Sequence, residues 1–348
     1  MKKVHIKDIC TKGSSALKQK DLLENGDYPV YGASGIAGYL NEYHQDKEYI
    51  AVVKDGSGIG RVSFLEPQSS VIGTMQYILP KEGYNIRYIG YCLQSLDLAG
   101  YKQGAAIPHI YFRDYGERLV NVTDDKAEQQ AIVSRLDSAF VKIDTVKANA
   151  EKQLNDAKAL FQKELSKAMT PKEGWETMKL GEFAFMKAGD FVKADEIKKE
   201  NEKGLYPCYG GNGFRGYVKE PNQEGDYCLI GRQGALCGCI NRANGVFRTT
   251  EHAVIVKPYK QIPTALVYYL LVCLNLNRYA TGAAQPGLSV NNIAEVVRIS
   301  VPPLSEQQAI VTHLDTLSEK LKTVEEKQKA VMAECDAMKQ ALLREVFE

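Results

Sequence analysis

The sequence predicts an α+β fold in which a mixed α/β globular part and a long helical arm occur twice, and three observations carry that prediction. The hexapeptide Glu128-Gln129-Gln130-Ala131-Ile132-Val133 returns as Glu306-Gln307-Gln308-Ala309-Ile310-Val311, 178 residues later (306 − 128). At the same spacing (206 − 28 and 282 − 104), Tyr28-Pro29-Val30-Tyr31-Gly32 returns as Tyr206-Pro207-Cys208-Tyr209-Gly210, and Gly104-Ala105-Ala106-Ile107-Pro108 as Gly282-Ala283-Ala284-Gln285-Pro286. Each hexapeptide also opens a run with no internal proline or glycine in which apolar residues recur at steps of three and four, the mark of a heptad seam. A tandem duplication of head plus arm accounts for all three.

In chain order, residues 48–53, 60–65 and 71–79 read as short strands, rich in Val, Ile, Tyr and Phe and divided by glycine turns, and residues 87–98 as a helix. The second head repeats the pattern with strands at 227–230, 236–240 and 253–256 and a helix at 263–275. The arms follow. In the first, Leu136, Ile143, Val146 and Leu160 define the expected seam, with Leu154, Phe161 and Leu165 off register. In the second the seam is Leu314, Leu317, Leu321, Val324, Val331, Met338 and Leu342. An arm of about 40 residues is roughly 60 Å long and must bury its stripe on another long helix, for which the nearest candidate is its own repeat. Asp125 with Glu128, and Ser305 with Gln308, fit capping boxes at the two starts. The expected organisation is a head at 1–123, an arm at 124–171, a second head at 172–301 and a second arm at 302–348.

Composition narrows the function. A chain of 348 residues buries enough core to need no covalent staple, and its eight cysteines show no C-x-x-C spacing, so a reduced, cytoplasmic setting is expected. The Cys237-Gly238-Cys239 pair reads as small buried residues. Polar Lys7 and Asp8 interrupt any leader, and the longest apolar run, around 265–274, is too short to span a bilayer, so no membrane partner is expected. A formal net charge of +1 rules out a global basic field, and any phosphate-binding face must be local to the heads.

No catalytic constellation emerges. Gly56-Ser57-Gly58-Ile59-Gly60-Arg61 resembles a phosphate loop, yet a strand rather than a helix follows it, which makes a tight turn the better reading. The five histidines are scattered without metal-ligand spacing, so neither a metal nor a cofactor is expected. There is no Asn-Pro-Pro-aromatic motif for base methylation. What stands out is polar side chains beside glycines in turns, where the frame repeats and the polar residue varies. Lys54 aligns with Arg232, Asp55 with Gln233, Ser34 with Asn212, Ala37 with Arg215, and Ile107 with Gln285. A duplicated enzyme would keep its catalytic groups in both copies, whereas a duplicated reader keeps the frame and changes the reading residues. Arg pairs with guanine, and Asn or Gln with adenine, through two bonds each. The candidate DNA-binding set is therefore Ser34, Lys54, Arg61, Lys102, Gln103, Asn212, Arg215, Arg232, Gln233, Arg242, Thr250, His252 and Gln285, against the plainer reading of polar loop decoration. Tyr28, Tyr31, Tyr39, Tyr206, Tyr209 and Tyr217 could stack on bases, but identical placement in both copies favours packing.

The Tyr-Pro-x-Tyr-Gly repeats, Thr281-Gly282-Ala283-Ala284-Gln285-Pro286-Gly287-Leu288-Ser289, and Pro302-Pro303-Leu304-Ser305-Glu306-Gln307-Gln308 resemble the specificity subunit of Type I restriction-modification systems along the whole chain. The resemblance implies two target recognition domains, at 1–123 and 172–301, related by a pseudo-twofold and separated by antiparallel coiled-coil helices. Each would read half of a split site in double-stranded DNA. It also implies a non-catalytic chain with no cofactor of its own. Two methyltransferase subunits, which bind S-adenosylmethionine themselves, would methylate adenine, and a restriction motor subunit would use ATP. The alternatives are the recognition subunit of a fused nuclease-methyltransferase system and a coiled-coil scaffold that does not touch DNA. The first copy departs from the pattern at Asp124-Asp125-Lys126-Ala127, Ile107 and His109.

Overall fold

The computed structural model describes all residues except 57, 105–107, 235 and 283–285, and the chain divides into two compact units. The first comprises Met1–Lys152 with Lys327–Glu348, and the second Gln153–Glu326. Each unit therefore holds one head and a stretch of both long helices.

In chain order the first head contains β1 (Lys2–His5), α1 (Ile6–Ile9), β2 (Cys10–Ser14), β3 (Tyr28–Gly32), β4 (Gly35–Leu40), β5 (Tyr49–Val53) and β6 (Val62–Leu65). It continues with β7 (Ser70–Val71), β8 (Met75–Pro80), α2 (Ile86–Ser95), α3 (Phe112–Tyr115) and β9 (Leu119–Val122), which leads to α4 (Lys126–Ala168). A four-stranded sheet runs β2-β8-β5-β6, a three-stranded one β4-β3-β7, and β1 pairs with β9. Strand β5 is buried along its whole length. One core, including Ile50, Val52, Ile78, Tyr88, Leu93 and Tyr115, lies between sheet and α2. Helix α2 starts where the Asn85 side chain accepts bonds from the amides of Arg87 and Tyr88.

The second head repeats this plan with β10 (Glu176–Lys179), α5 (Leu180–Phe183), β11 (Ala184–Ala188), β12 (Tyr206–Gly210), β13 (Gly213–Val218), β14 (Gln223–Gly231), β15 (Ile240–Thr249) and β16 (Ala253–Pro258). Helix α6 (Thr264–Cys273), α7 (Val290–Val296) and β17 (Arg298–Val301) then lead to α8 (Leu304–Phe347). Here one six-stranded sheet, β11-β16-β14-β15-β12-β13, replaces the two separate sheets, because β15 is long enough to pair with both β14 and β12.

Three expected elements are corrected. The strand expected at 71–79 is two strands: the Met75 amide bonds to the Ile72 carbonyl in a turn, and β7 pairs with β3 while β8 pairs with β5. The strands expected from 60 and at 236–240 begin instead at Val62 and Ile240. Both positions are claimed by a turn whose glycine, Gly60 (φ +84°) or Gly238 (φ +89°), sits in the left-handed region. A Cβ on Gly60 would lie 2.7 Å from the Ala99 amide nitrogen, and one on Gly238 2.4 Å from that of Asn277. Gly60→Ala and Gly238→Ala are each expected to destabilise their unit by about 1–3 kcal/mol, read as a lower melting temperature; unchanged melting would show that the turns relax freely.

The arms are corrected in register. Within the first unit Lys147 pairs with Asp336 at 2.7 Å and Asp144 with Lys339 at 2.6 Å, and within the second Lys158 pairs with Glu325 at 3.5 Å and Glu164 with His313 at 3.8 Å. As α4 numbers rise their α8 partners fall, so the helices are antiparallel in each unit. Of the expected seam, Leu136, Ile143 and Leu314 are buried and Leu317, Leu321, Val324, Val331 and Leu342 half-buried, but Val146, Leu160 and Met338 are exposed. From Leu136 the covered line steps by four to Phe140, then through Ile143, Lys147, Ala150, Leu154, Ala157 and Phe161. Leu154 and Phe161 are thus in register after all. Lys147 and Lys339 occupy slots assigned to Val146 and Met338; the Lys339 ammonium lies 5.1 Å from the Phe140 ring centre, so its stem covers apolar surface while its charge stays wet.

The repeated hexapeptide bolts each arm to its own head. Gln129 is fully buried, with its amide donating to the carbonyls of Thr123 and Gly83 and accepting from the Asn85 amide. In the second copy the Gln307 amide donates to the Pro302 carbonyl, and the Glu306 carboxylate accepts from the Trp175 indole at 3.4 Å. Tyr91 bonds Asp137 and, at the equivalent place, Tyr269 donates to Asp315 at 2.7 Å. Asp125 caps α4 through the amides of Ala127 and Glu128, which is half of the expected box; its own amide donates to Thr123 Oγ1 at 3.2 Å in place of the Glu128 side chain. Ser305, by contrast, lies inside α8, because Pro303 holds the position equivalent to Asp125 (303 − 125) and the helix starts at Leu304. Among the described residues no helix is long and apolar enough to cross a membrane.

Candidate nucleic-acid interface

In the second unit the β12–β13 hairpin tip, the turn after β14 and the β15–β16 turn converge. Gly211, Asn212, Arg215, Gln233, Gly234 and His252 line a depression of about 390 Å³. Backbone bonds hold the three turns together: the Arg232 amide donates to the His252 carbonyl (3.0 Å), the Thr250 amide to Tyr209 (2.9 Å), and the Gly234 amide to Pro286 (3.0 Å). The Cys239 thiol donates to the Gly211 carbonyl at 2.9 Å. This approach needs glycine, since a Cβ on Gly231 would stand 2.0 Å from the Gly211 oxygen.

The expected residues separate on this frame. Asn212, Arg215, Gln233 and His252 come together, with Arg215 and Asn212 exposed. Arg232 does not line the depression; its Nε, Glu251 Oε2 and His252 Nδ1 are buried with no hydrogen-bond partner among the described residues. Thr250 is corrected to a structural role, since it is fully buried beneath Gly210 in the turn that aims His252. Arg242, which is exposed, lies outside the depression. It pairs with Asp226 at 3.6 Å, and its charge acts on Cys228 and on Tyr268 of α6, away from the depression. Gln285 lies outside the described residues, as does Ile107.

The first unit carries the same frame. The turn at 54–56 zips to 108–110, with the Gly56 amide on the Pro108 carbonyl (3.2 Å) and the Ile110 amide on that of Lys54 (2.9 Å), as Gly234 and Leu288 do with Pro286 and Arg232. Ser34 is exposed at the β3–β4 tip, Lys54 half-buried and Lys102 exposed. Arg61 braces the hairpin through the Ala33 carbonyl at 2.6 Å, and Gln103 is tied to Asp114 at 2.9 Å. At the centre stand two residues missing from the candidate set, Asp55 and His109, which bond each other through Asp Oδ1 and His Nδ1. They align with Gln233 and Gly287 (233 − 55 and 287 − 109), and that alignment was the available signal.

Of the repeated tyrosines, the aligned pair Tyr31 and Tyr209 packs on a core in each head. The Tyr209 ring meets Phe247 at 5.6 Å and burial raises its hydroxyl pKa, while Tyr31 packs on the core around Tyr49 and Tyr77. Cys237 is buried and burial raises its thiol pKa too. Among the described residues no group of three His, Cys, Asp or Glu is placed to hold a metal.

The family model of the Type I restriction modification DNA specificity domain matches residues 1–156 and again 172–332. The specificity subunit of the Type I restriction enzyme EcoprrI from Escherichia coli is 44% identical over 149 residues, 42% of this chain and 37% of that protein. The aligned part thus spans well under half of that relative. A solved chain from work on complex assembly and conformational transition of the type I R-M system shares the fold at a TM-score of 0.71 and 15% identity, covering 99% of this chain and 97% of its own. The S subunit from M. genitalium aligns over 100% of this chain and 96% of its own at 20% identity and a TM-score of 0.46. With the family model matched twice, over the whole of both heads and much of both arms, the chain belongs to the specificity subunits of Type I restriction-modification systems.

Proposed function

We propose that the chain is the non-catalytic DNA reader of such a system, with target recognition domains at 1–123 and 172–301 each engaging one half of a bipartite site in double-stranded DNA. One observation carries the reading: the same loop frame occurs twice with different polar groups at its centre, Asp55 and His109 in one head, Gln233 and Arg215 in the other. Base edges are discriminated by such groups, while the frame brings the backbone near the duplex. His252 Nδ1, at the depression and without a hydrogen-bond partner among the described residues, supports it, because a buried polar atom left unpaired costs about 1–3 kcal/mol.

On this reading two methyltransferase subunits bring S-adenosylmethionine and methylate adenine, and restriction motor subunits act with ATP. The chain selects the place and holds no cofactor. Mapping modified adenines in host DNA with and without the chain tests the proposal. A split motif that vanishes on deletion is the expected result, and an unchanged methylation map would overturn it.

A further inference from the structure

The 178-residue offset that relates the two copies carries Lys147 onto Glu325 and Lys158 onto Asp336 (325 − 147 and 336 − 158). These four residues form the inter-helix pairs Lys147–Asp336 and Lys158–Glu325, so equivalent positions of the two arms hold opposite charges. Apolar seam positions carry no such distinction. Leu136, Ile143 and Leu154 on α4, and Leu314 and Leu321 on α8, would suit either partner.

We propose that the exchanged signs make α4 pair with α8 of its own chain and reject the matching arm of a second copy. Pairing α8 with α8 in the same register would set Glu325 against Asp336, and Lys322 (equivalent to Asp144, 322 − 144) against Lys339. Pairing α4 with α4 would set Lys147 against Lys158. It would also bring Arg135, the equivalent of His313 (313 − 135), to Glu164, an attraction that offsets part of that repulsion. The rejection therefore falls mainly on α8. Two chains exchanging like arms would have to form both pairings at once, so the repulsion at α8 governs the exchange. Charges flanking a coiled-coil seam set partner choice by this opposition of signs.

The test uses the full chain. Exchanging Lys158→Asp with Asp336→Lys leaves net charge unchanged, puts like charges opposite Lys147 and Glu325 within the chain, and makes each arm complementary to its own copy at these two positions, with Lys322 still facing Lys339 in the α8 pairing. Sedimentation velocity at low salt should show a roughly tenfold larger share of double-mass species than wild type, shrinking at high salt as the charges are screened. Adding Lys147→Glu and Glu325→Lys restores opposite signs inside the chain and should return the wild-type distribution. The proposal fails if the double variant keeps the wild-type distribution, if it loses helix content without associating, or if the fourfold variant does not recover.

Discussion

Phe347→Ala is expected to cost about 3–5 kcal/mol, the range for removing a fully buried aromatic side chain. Phe347 is wholly inaccessible, its ring centre is 5.1 Å from that of Tyr88, and it belongs to the same core as Leu93, Val133 and Leu136. It thus joins α8 to α2 and to the start of α4 inside the first unit. A melting temperature several degrees lower, largely recovered by Phe347→Leu, is the expected measurement. Melting at the wild-type temperature would show that α8 is held to this head by other contacts.

Arg215→Ala should relax one position of one half-site, losing roughly 1–3 kcal/mol of discrimination there, about 5- to 150-fold. The prediction rests on the proposed DNA reading. It is specific because Arg215 is exposed at the depression where Asn212, Gln233 and His252 meet, whereas Arg242 is held against Asp226. Arg242→Ala should leave the methylated motif unchanged. Sequencing modified adenines in cells carrying each variant reads both. Uniform weakening across all sites in Arg215→Ala would make that residue a phosphate anchor.

Legibility followed the range of the interactions. Turns, helix starts and the duplication are local or repeated along the chain, so Asp125 as a cap and residues 227–230 as strand were readable and β14 differed only in extent, whereas the strand expected at 236–240 meets β15 only at Ile240. The split of 71–79 into β7 and β8 was not readable, because β7 exists only through its pairing with β3, some 40 residues earlier in the chain. The candidate interface was half legible. Turn positions were named correctly from glycines, but whether a side chain faces outward, as Arg215 does, or is buried, as Thr250 is, depends on which strands lie beneath it. Asp55 and His109 were hidden because they are 54 residues apart and meet only when two loops are zipped together.

The amino-acid sequence alone determined that head and arm occur twice at one offset, and that each arm is a long unbroken helix, since repetition and periodicity are properties of the chain itself. Tertiary structure decided which column of each arm is covered. Both α4 and α8 carry adjacent apolar columns, and only contacts between residues far apart in sequence, Lys147 with Asp336 and Lys339 with Asp144 and Phe140, select the one that faces its partner.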